Sequence, residues 1–251
     1  MRLGLIGAGN MASALARGVG EPVLVHDLDS AKAEALVAEL GGEALGSGAE
    51  VAERADVVVL CHKPQQLAEV AEQIRPRAVA SILAATTTAQ IEDAYPGIPV
   101  YRFLPNMPVE VRKGMLCYVP GRLASEGPEK ELLELFGRAG TILRVDDEPL
   151  LEPAMALMSC GPAFMALVAE SFADAGTEHG LTPDDAMRMV VETMGGTAAY
   201  LGGHGWDAEG LRQRVATPGG ATERGLIRLE EEGLRGVCRA AVDAVVEGTR
   251  R

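Results

Sequence analysis

The sequence predicts a doubly wound, mostly parallel α/β sheet in residues 1–146, followed by an all-helical domain in residues 147–251. Three observations lead to this prediction. Short apolar runs alternate with helical patterns in the first part, whereas the second part lacks strand signals and carries long helical patterns. The length of 251 residues suits one large domain or two modest ones.

The first part alternates strands with helices along the chain. Strands are predicted at residues 2–6, 22–26, 56–60, 78–84, 100–103 and 114–119. Helices are predicted at residues 10–18, 30–40 and 67–74, and Ser30 is predicted to cap the second of them. The run DVVVL at 56–60 is continuously apolar, which is typical of a parallel strand buried on both faces of a sheet.

The second part consists of helices whose ends carry their own signals. Helices are predicted at residues 150–158, 162–180, 183–201, 209–215 and 223–247. Gly180 is predicted to end one helix, and Thr182 followed by Pro183 is predicted to begin the next. The glycine-rich stretch 202–205 predicts a turn.

Composition and charge argue against several classes of protein. The net charge of −13 repels phosphate backbones and so argues against nucleic-acid binding. No run of about 18 apolar residues is evident, and the amino terminus does not resemble a signal peptide, so we expect neither a membrane span nor a leader. Four scattered cysteines indicate reduced thiols and a cytoplasmic location, with no metal site. Aromatic residues make up only 4%, so we expect a core of Ala, Val, Leu, Ile and Met.

The amino-terminal motif GxGxxA spans residues 7–12, directly after the first strand and at the start of a helix. Gly7 permits the tight turn, Gly9 lets the backbone approach a pyrophosphate, and Ala12 allows close packing of the helix on the strand. Free amides at the helix amino terminus then receive the pyrophosphate, as in a Rossmann-type dinucleotide domain. The alternative interpretation is a glycine turn without a ligand.

Asp27 lies 20 positions after Gly7, at the end of the second strand. An acid at this place accepts hydrogen bonds from both ribose hydroxyls of NAD and repels the 2′-phosphate of NADP. The cations nearby in sequence are Lys32 and, when protonated, His26. The residues therefore favour NADH slightly over NADPH, and the alternative is that Asp27 merely caps a loop.

Residues 216–222, ATPGGAT, separate two predicted helices. Two glycines expose backbone amides before a helix begins, and hydroxyls flank them, which suits a carboxylate receptor. The alternative is a plain turn with Thr222 as the helix cap. Residues 158–164 predict a helix start, in which Cys160 is interpreted as a buried small residue rather than a nucleophile.

These motifs, together with HKPQ at 62–65, SILAA at 81–85, LPNMP at 104–108 and GPA at 161–163, resemble pyrroline-5-carboxylate reductases from end to end. That family reduces a five-membered cyclic imine carboxylate to proline with NADPH or NADH. The resemblance implies a cofactor site made by Gly7, Ala8, Gly9, Asn10, Met11, Ala12, Lys63, Pro64, Ala84 and Ala85. It implies a substrate site made by Glu148, Thr217, Gly220, Ala221 and Thr222.

The resemblance also implies the assembly and the chemistry. In the family two chains interlock through their helical domains, each active site uses parts of both, and rings of dimers such as decamers occur. Thr222 is interpreted as the proton donor to the imine nitrogen. The chain departs from the family's pattern at Thr217, where Ser is usual, at Phe164, where Tyr is usual, and at Asp27 and Gly48 around the adenosine ribose.

Three other functions compete with this interpretation, and the sequence argues against the first and the third of them. A β-hydroxyacid dehydrogenase needs a lysine in its helical domain, and residues 151–251 contain none. A reductase of another cyclic imine, such as a six-membered one, is compatible with the departure at Phe164. A non-enzymatic NAD(P)-binding relative would need only the pyrophosphate turn and not the carboxylate loop.

Overall fold

The computed structural model describes residues 1–249, which divide into two compact units. The first unit is Met1–Pro162, and the second begins at Ala163. The boundary predicted between residues 146 and 147 lies earlier in the chain than this division and stays a prediction. The last two residues of the predicted helical domain, 250 and 251, lie outside the described residues.

One sheet of eight strands organises the first unit, in the order β3-β2-β1-β4-β5-β6-β7-β8. The strands are β1 (Leu3–Ile6), β2 (Val23–His26), β3 (Gly42–Ala44), β4 (Val57–Leu60), β5 (Val79–Ser81), β6 (Val100–Pro105), β7 (Gly114–Pro120) and β8 (Gly140–Arg144). Neighbouring strands run parallel except β6 and β7, which pair antiparallel. The mostly parallel, doubly wound sheet is therefore confirmed.

Helices connect the strands of the first unit. They are α1 (Asn10–Val19), α2 (Ser30–Leu40), α3 (Gly48–Arg54), α4 (Leu67–Gln73), α5 (Thr88–Ala94), α6 (Glu129–Phe136) and α7 (Leu151–Ala154). A short π-helical turn, Met155–Ser159, follows α7. Strand β1 lies between β2 and β4, so the strand order reverses beside it, which is the place where doubly wound sheets bind ligands.

The apolar core lies on both faces of this sheet. Val57 and Val59 of β4 belong to the core cluster on one face, and Val58 and Leu60 to the cluster on the other. This alternation confirms that the DVVVL strand is buried on both sides. The core is mainly Ala, Val, Leu and Ile, as expected, but the expected methionines are wrong, because no methionine of residues 1–249 is among the buried hydrophobic residues. Four aromatic rings are fully buried. These rings belong to Tyr101, Phe103, Tyr118 and Phe136, and those of Phe103 and Tyr118 stack with centroids 4.9 Å apart.

The second unit is helical from Ala163 to Thr249, as predicted. Its helices are α8 (Gly161–Glu178, which begins at the end of the first unit), α9 (Pro183–Gly203), α10 (Ala208–Val215), α11 (Ala221–Glu231) and α12 (Leu234–Thr249). The predicted helix boundary at 180–183 is confirmed. Gly180 has a φ of +96°, and the Thr182 hydroxyl accepts a hydrogen bond from the amide of Asp185 at 3.2 Å.

Some predicted elements are wrong in extent. The single helix predicted at 223–247 breaks at Gly233, whose φ of +81° ends α11 and separates it from α12. The strand predicted at 78–84 stops at Ser81, because the chain turns at the edge of the sheet and reaches a φ of +50° at Ala85. Ser30 is the first residue of α2 and not its cap, since Asp29 holds the extended cap position. Residues 202 and 203 belong to α9 rather than to the predicted turn.

One helical stretch, Glu148–Glu178, is long and apolar enough by length and composition to cross a membrane. The stretch carries Glu152, Glu170 and Asp174, so it is not the continuous run of about 18 apolar residues that was expected to be absent. Apolar side chains along it are exposed in the single chain, including those of Met165, Leu167 and Phe172. Helices covered by other protein meet the same criterion, so this stretch alone does not indicate a membrane.

Candidate active site

A crevice opens at the carboxyl ends of β1, β2 and β4, where the strand order reverses. It encloses about 400 Å³ and is lined by Ile6, Gly7, Gly9, His26, Asp27, Leu28, Lys32, Gly48, Cys61, His62, Lys63, Gln66, Glu69, Val70, Gln73 and Ile74. A crevice at this point of an open α/β sheet is the usual ligand site of the fold. It brings together predicted residues from the glycine motif, from the end of β2 and from the HKPQ motif.

The turn after β1 depends on Gly7. Its φ is +105°, and a Cβ built there would lie 2.8 Å from the carbonyl oxygen of Cys61. The Gly7 amide donates to the carbonyl of His26 at 2.8 Å, which joins the turn to β2. Glycine is therefore required here both by the backbone angle and by the close approach of the loop after β4.

Gly9 leaves open space at the position where a pyrophosphate is predicted to lie. It precedes α1 as the helix cap in an extended conformation, and a Cβ built on it would meet nothing within 4 Å. The first-turn amides of α1, which begins at Asn10, therefore open onto free space at the crevice. Of the other motif residues, Ala8 and Ala12 are buried and Met11 packs against the core, so their side chains serve the fold.

Asp27 is bound to the glycine turn. Its Oδ2 accepts a hydrogen bond from the amide of Ala8 at 2.6 Å, and its Oδ1 accepts one from the amide of Asp29 at 2.8 Å. The loop-capping interpretation of Asp27 therefore describes a real contact. Asp27 also lines the crevice, so the carboxylate that orders the turn faces the same cavity.

His62 carries an unpaired atom at the crevice. Its Nδ1 lies 2.9 Å from the carbonyl oxygen of Lys63 and donates to it, which leaves Nε2 as an acceptor. In residues 1–249, His62 Nε2 and the Tyr95 hydroxyl are buried without a hydrogen-bond partner. Burial lowers the pKa of His62, although the bond to Lys63 acts in the opposite direction. A neutral imidazole with a free acceptor fits the hydroxyl and amine donors of a nucleotide.

The HKPQ and SILAA motifs, which were also predicted to belong to the cofactor site, both contribute to a neighbouring groove. Pro64 and Ala85 both line a groove of about 460 Å³, next to Thr86. Ala84 is exposed in the same turn but does not line that groove. Lys63 lines the crevice, and its amide donates to Gln66 Oε1 at 3.1 Å. Gln66 was not predicted, because the capping pattern has Ser or Thr three residues before the glutamine and Lys63 stands there instead.

Glu148 is held within the first unit. Its Oε1 accepts hydrogen bonds from the amide and the hydroxyl of Thr88, each at 2.7 Å, and from the guanidinium of Arg102. Burial alone would raise the pKa of Glu148, but the bonds from Thr88 and Arg102 outweigh it and hold the pKa below its ordinary value. The carboxylate predicted to lie near the substrate therefore joins the start of α5 to β6.

Replacing Glu148 with glutamine is expected to lower the free energy of unfolding by about 2 kcal/mol at pH 7, because the Arg102 charge stays partly buried without its partner. The folded-state pKa of Glu148 is depressed, so its stabilisation is present above the ordinary value of 4.5 and is lost as the pH falls through the folded value. Urea unfolding from pH 3 to 8 measures this. The difference between the two proteins should shrink below pH 4.5.

The exposed Glu126 supplies the control for this experiment. Glu126→Gln is expected to change the free energy of unfolding by less than about 0.5 kcal/mol at any pH. A Glu148→Gln protein as stable as the parent at pH 7 would show that the contacts with Thr88 and Arg102 contribute nothing net.

Asn106, in the LPNMP motif, links two segments of the first unit. Its Nδ2 donates to the carbonyl of Met158 at 2.9 Å, and its Oδ1 accepts from the amide of Met115 at 2.9 Å. The Met158 carbonyl belongs to the π-helical turn that precedes α8. The side chain therefore ties the β6–β7 connection to the segment that leads into the helical unit.

In the second unit, the residues predicted to receive a carboxylate lie together in the loop before α11 and in its first turn. Gly220 caps the helix, so Thr222 is its second residue and not the cap. The Gly220 amide donates to the carbonyl of Thr217 at 2.9 Å, and the Gly219 amide donates to Glu223 Oε2 at 2.6 Å. Pro218 has no amide hydrogen, and the amides of Gly219 and Gly220 already have acceptors, so the carboxylate receptor predicted within residues 216–222 reduces to the first-turn amides of α11.

Those first-turn amides belong to Ala221, Thr222 and Glu223, and none has an acceptor in the described part of the chain. The Thr222 hydroxyl likewise has no hydrogen-bond partner among residues 1–249, and Thr222 is exposed. A helix start with free amides and a free hydroxyl can bind a carboxylate without a formal positive charge.

Two family models match the chain. A model described as pyrroline-5-carboxylate reductase dimerisation matches residues 148–251, and one described as NADP oxidoreductase, coenzyme F420-dependent, matches residues 2–87. The second match contains the glycine motif, Asp27 and the HKPQ motif. The first match contains Glu148 and the loop before α11.

Whole-chain likenesses agree with these matches. The pyrroline-5-carboxylate reductase of Treponema pallidum is 31% identical over 98% of this chain and 97% of its own length. A solved structure of the Coxiella burnetii pyrroline-5-carboxylate reductase shares 27% identity and a TM-score of 0.89 over 99% of this chain and 97% of that one. The Plasmodium falciparum pyrroline carboxylate reductase with NADP bound shares 25% identity and a TM-score of 0.86, over 99% and 97% of the two chains.

Proposed function

The chain belongs to the pyrroline-5-carboxylate reductase family, and from this premise we propose that it reduces 1-pyrroline-5-carboxylate to L-proline with NAD(P)H. The observation that carries the proposal is a pair of helix starts with free amides. One lies at α1, beside the space at Gly9, and the other at α11, beside Thr222. The first suits a dinucleotide pyrophosphate and the second the carboxylate of the imine.

We propose that the nicotinamide cofactor supplies the hydride when bound, and that the residues of the chain position the two reactants. The amides of Ala221 and Thr222 hold the substrate carboxylate, while Thr217 and Gly220 shape the loop around the ring. The Thr222 hydroxyl donates a hydrogen bond toward the imine nitrogen, which must be protonated to accept a hydride readily. Glu148 acts at the substrate side by holding Thr88 and Arg102.

We propose NADH as the preferred cofactor, on the strength of Asp27. Its carboxylate lines the crevice and would repel a 2′-phosphate, while its contact with Ala8 fixes it in place. The Plasmodium falciparum relative binds NADP, which makes NADPH the competing choice.

We propose that two copies of the chain pair through their helical units and that such dimers assemble further into a decamer. The match of residues 148–251 to the pyrroline-5-carboxylate reductase dimerisation model supports pairing of two copies. The exposed apolar side chains of Met165, Leu167 and Phe172 on α8 supply a surface that a second copy would cover. We expect the assembly to be cytoplasmic.

Steady-state oxidation of NADH and of NADPH, each with the five-membered imine and with its six-membered homologue, tests the proposed function. Turnover of the five-membered imine, faster with NADH, is the expected result. Faster turnover of the six-membered homologue would change the substrate. Binding of cofactor without turnover of either imine would favour a non-enzymatic NAD(P)-binding relative.

Replacing Thr222 with alanine is expected to lower kcat/KM at least about tenfold, because one hydrogen bond to the transition state worth about 1.4 kcal/mol is lost. Steady-state kinetics on the imine measures it. Thr222→Ser keeps the hydroxyl and should stay within about threefold of the parent. An unchanged kcat/KM in the alanine variant would remove Thr222 from the mechanism.

A further inference from the structure

The backbone amide and the backbone carbonyl of Gly219 each form a hydrogen bond with one of two consecutive residues of α11. Its amide donates to Glu223 Oε2 at 2.6 Å, and its carbonyl accepts from the Arg224 guanidinium at 2.8 Å. Both side chains reach back from the first turn of the helix to the tip of the loop in front of it. We call these three residues, Gly219, Glu223 and Arg224, the Gly219 clamp.

The clamp acts on a loop tip that is otherwise held by one backbone bond, from the Gly220 amide to the Thr217 carbonyl at 2.9 Å. Gly219 has a φ of +72°, is exposed, and a Cβ built on it would meet nothing within 4 Å. Packing therefore does not hold the loop tip. The bond from Gly220 to Thr217 closes the turn, and the two clamp bonds fix the turn to the start of α11. Each clamp bond involves a charged group, which makes it stronger than a bond between neutral partners. Glu223 is half-buried, so its bond is shielded in part from water.

The geometry points to Glu223 and Arg224 as positioning residues for the substrate carboxylate, an inference that rests on the proposed function of this loop. The clamp joins the loop tip to the same helix turn whose free amides, at Ala221 and Thr222, receive the carboxylate. A loop that is ordered before the substrate arrives loses less conformational freedom on binding. The benefit is the same in the ground state and in the transition state, so it affects KM rather than kcat.

The charge of Glu223 acts against this benefit, since a second carboxylate stands near an anionic substrate. Glutamine at position 223 keeps an oxygen that accepts from the Gly219 amide but removes the charge. Alanine at position 223 removes both the acceptor and the charge, so comparing the alanine and glutamine variants separates positioning of the loop from the effect of the charge. If Glu223 acts by positioning, only the variant without an acceptor impairs binding.

The experiment compares Glu223→Ala, Glu223→Gln and Arg224→Gln with the parent. The expected result for Glu223→Ala is a KM for the imine about tenfold higher, equal to about 1.4 kcal/mol, with kcat within threefold. Glu223→Gln should keep KM within threefold of the parent or lower it. Arg224→Gln should raise KM about threefold, because the bond from the Gly219 amide to Glu223 remains.

Two substitutions serve as matched controls. Glu209→Ala removes an acid of the first turn of α10 that accepts a hydrogen bond from Gln213 at 3.2 Å. Arg228→Gln removes a cation of α11 that pairs with Glu231 and Glu232. Neither residue contacts the loop, so both variants should keep the parent KM. A KM raised as much in Glu209→Ala as in Glu223→Ala would mean that loss of a first-turn acid, and not the clamp, is responsible.

Hydrogen exchange and product binding make the test independent of turnover. Peptides covering residues 216–224 should exchange at least fivefold faster in Glu223→Ala than in the parent, and titration calorimetry should show weaker binding of L-proline. A parent that binds L-proline but reduces no imine would refute the proposed function and leave the clamp to be judged on exchange and binding. Unchanged exchange, or equal damage from alanine and glutamine at position 223, would overturn the clamp.

Discussion

Replacing Gly7 with alanine is expected to lower the free energy of unfolding by about 3 kcal/mol and to raise the KM for NAD(P)H at least about 100-fold. The φ of +105° disfavours any side chain, and the added Cβ would lie 2.8 Å from the carbonyl oxygen of Cys61. Backbone cannot move aside as the end of a side chain can, so the turn itself must shift. Thermal unfolding should show a Tm lower by roughly 10 °C, and cofactor titration measures the loss of affinity.

Gly9 provides the matched comparison. A Cβ on Gly9 meets nothing within 4 Å, so Gly9→Ala should keep the parent Tm while raising the KM for NAD(P)H, because the methyl group occupies the space proposed for the pyrophosphate. Gly7→Ala is thus expected to impair both stability and cofactor binding, whereas Gly9→Ala is expected to impair cofactor binding alone. A Gly9→Ala protein with parental KM would place the pyrophosphate elsewhere.

Replacing Asp27 with asparagine is expected to change the ratio of kcat/KM for NADH to that for NADPH about 100-fold in favour of NADPH. Asparagine removes the charge that repels a 2′-phosphate and weakens the acceptor offered to the ribose hydroxyls, two effects that together amount to about 2.8 kcal/mol. Steady-state kinetics with both cofactors measures the ratio. The single carbonyl of asparagine cannot serve both the Ala8 and Asp29 amides, so we also expect a loss of about 1 kcal/mol of stability.

Asp29 is the control for this experiment. It lies two residues further on, pairs with Lys32 at 3.5 Å, and does not line the crevice. Asp29→Asn should therefore leave the cofactor ratio within about twofold of the parent, since a charge in solvent is screened. Equal shifts in the two variants would mean that net negative charge, and not the placement of Asp27, sets the preference.

The nucleotide end of the fold was predictable because its signals are local. The glycine motif, the buried DVVVL strand and the acid at the end of β2 each combine residue type with spacing, and the structure brings Gly7, Gly9 and Asp27 to one crevice. The helix start at Thr182 is local in the same way, since the cap and the proline are adjacent. The resemblance to one family added the order of the motifs along the whole chain.

Elements and contacts that depend on distant partners were missed. Helices α3, α5 and α6 and strands β3 and β8 were not predicted, and β3, with three residues, is too short to show a period. The partners of Glu148 lie 46 and 60 positions away, at Arg102 and Thr88, so no spacing could indicate them. The free acceptor on His62 and the bond from Gly219 to Glu223 appear only when the side chains are placed.

The crevice at the end of β1 has a consequence for the order in which the protein is made. Every residue that lines it comes from positions 6–74, and the first compact unit ends at Pro162. A ribosome that adds 5–20 residues per second still needs roughly 5–20 s to synthesise the rest of the chain. Cofactor present in the cell can bind this nascent unit and stabilise it by mass action, by about 2.7 kcal/mol at a concentration of 100 Kd. With NAD(P)H in the crevice and pairing through the helical unit, as proposed above, the ligand would stabilise the first unit before the unit that pairs has been synthesised.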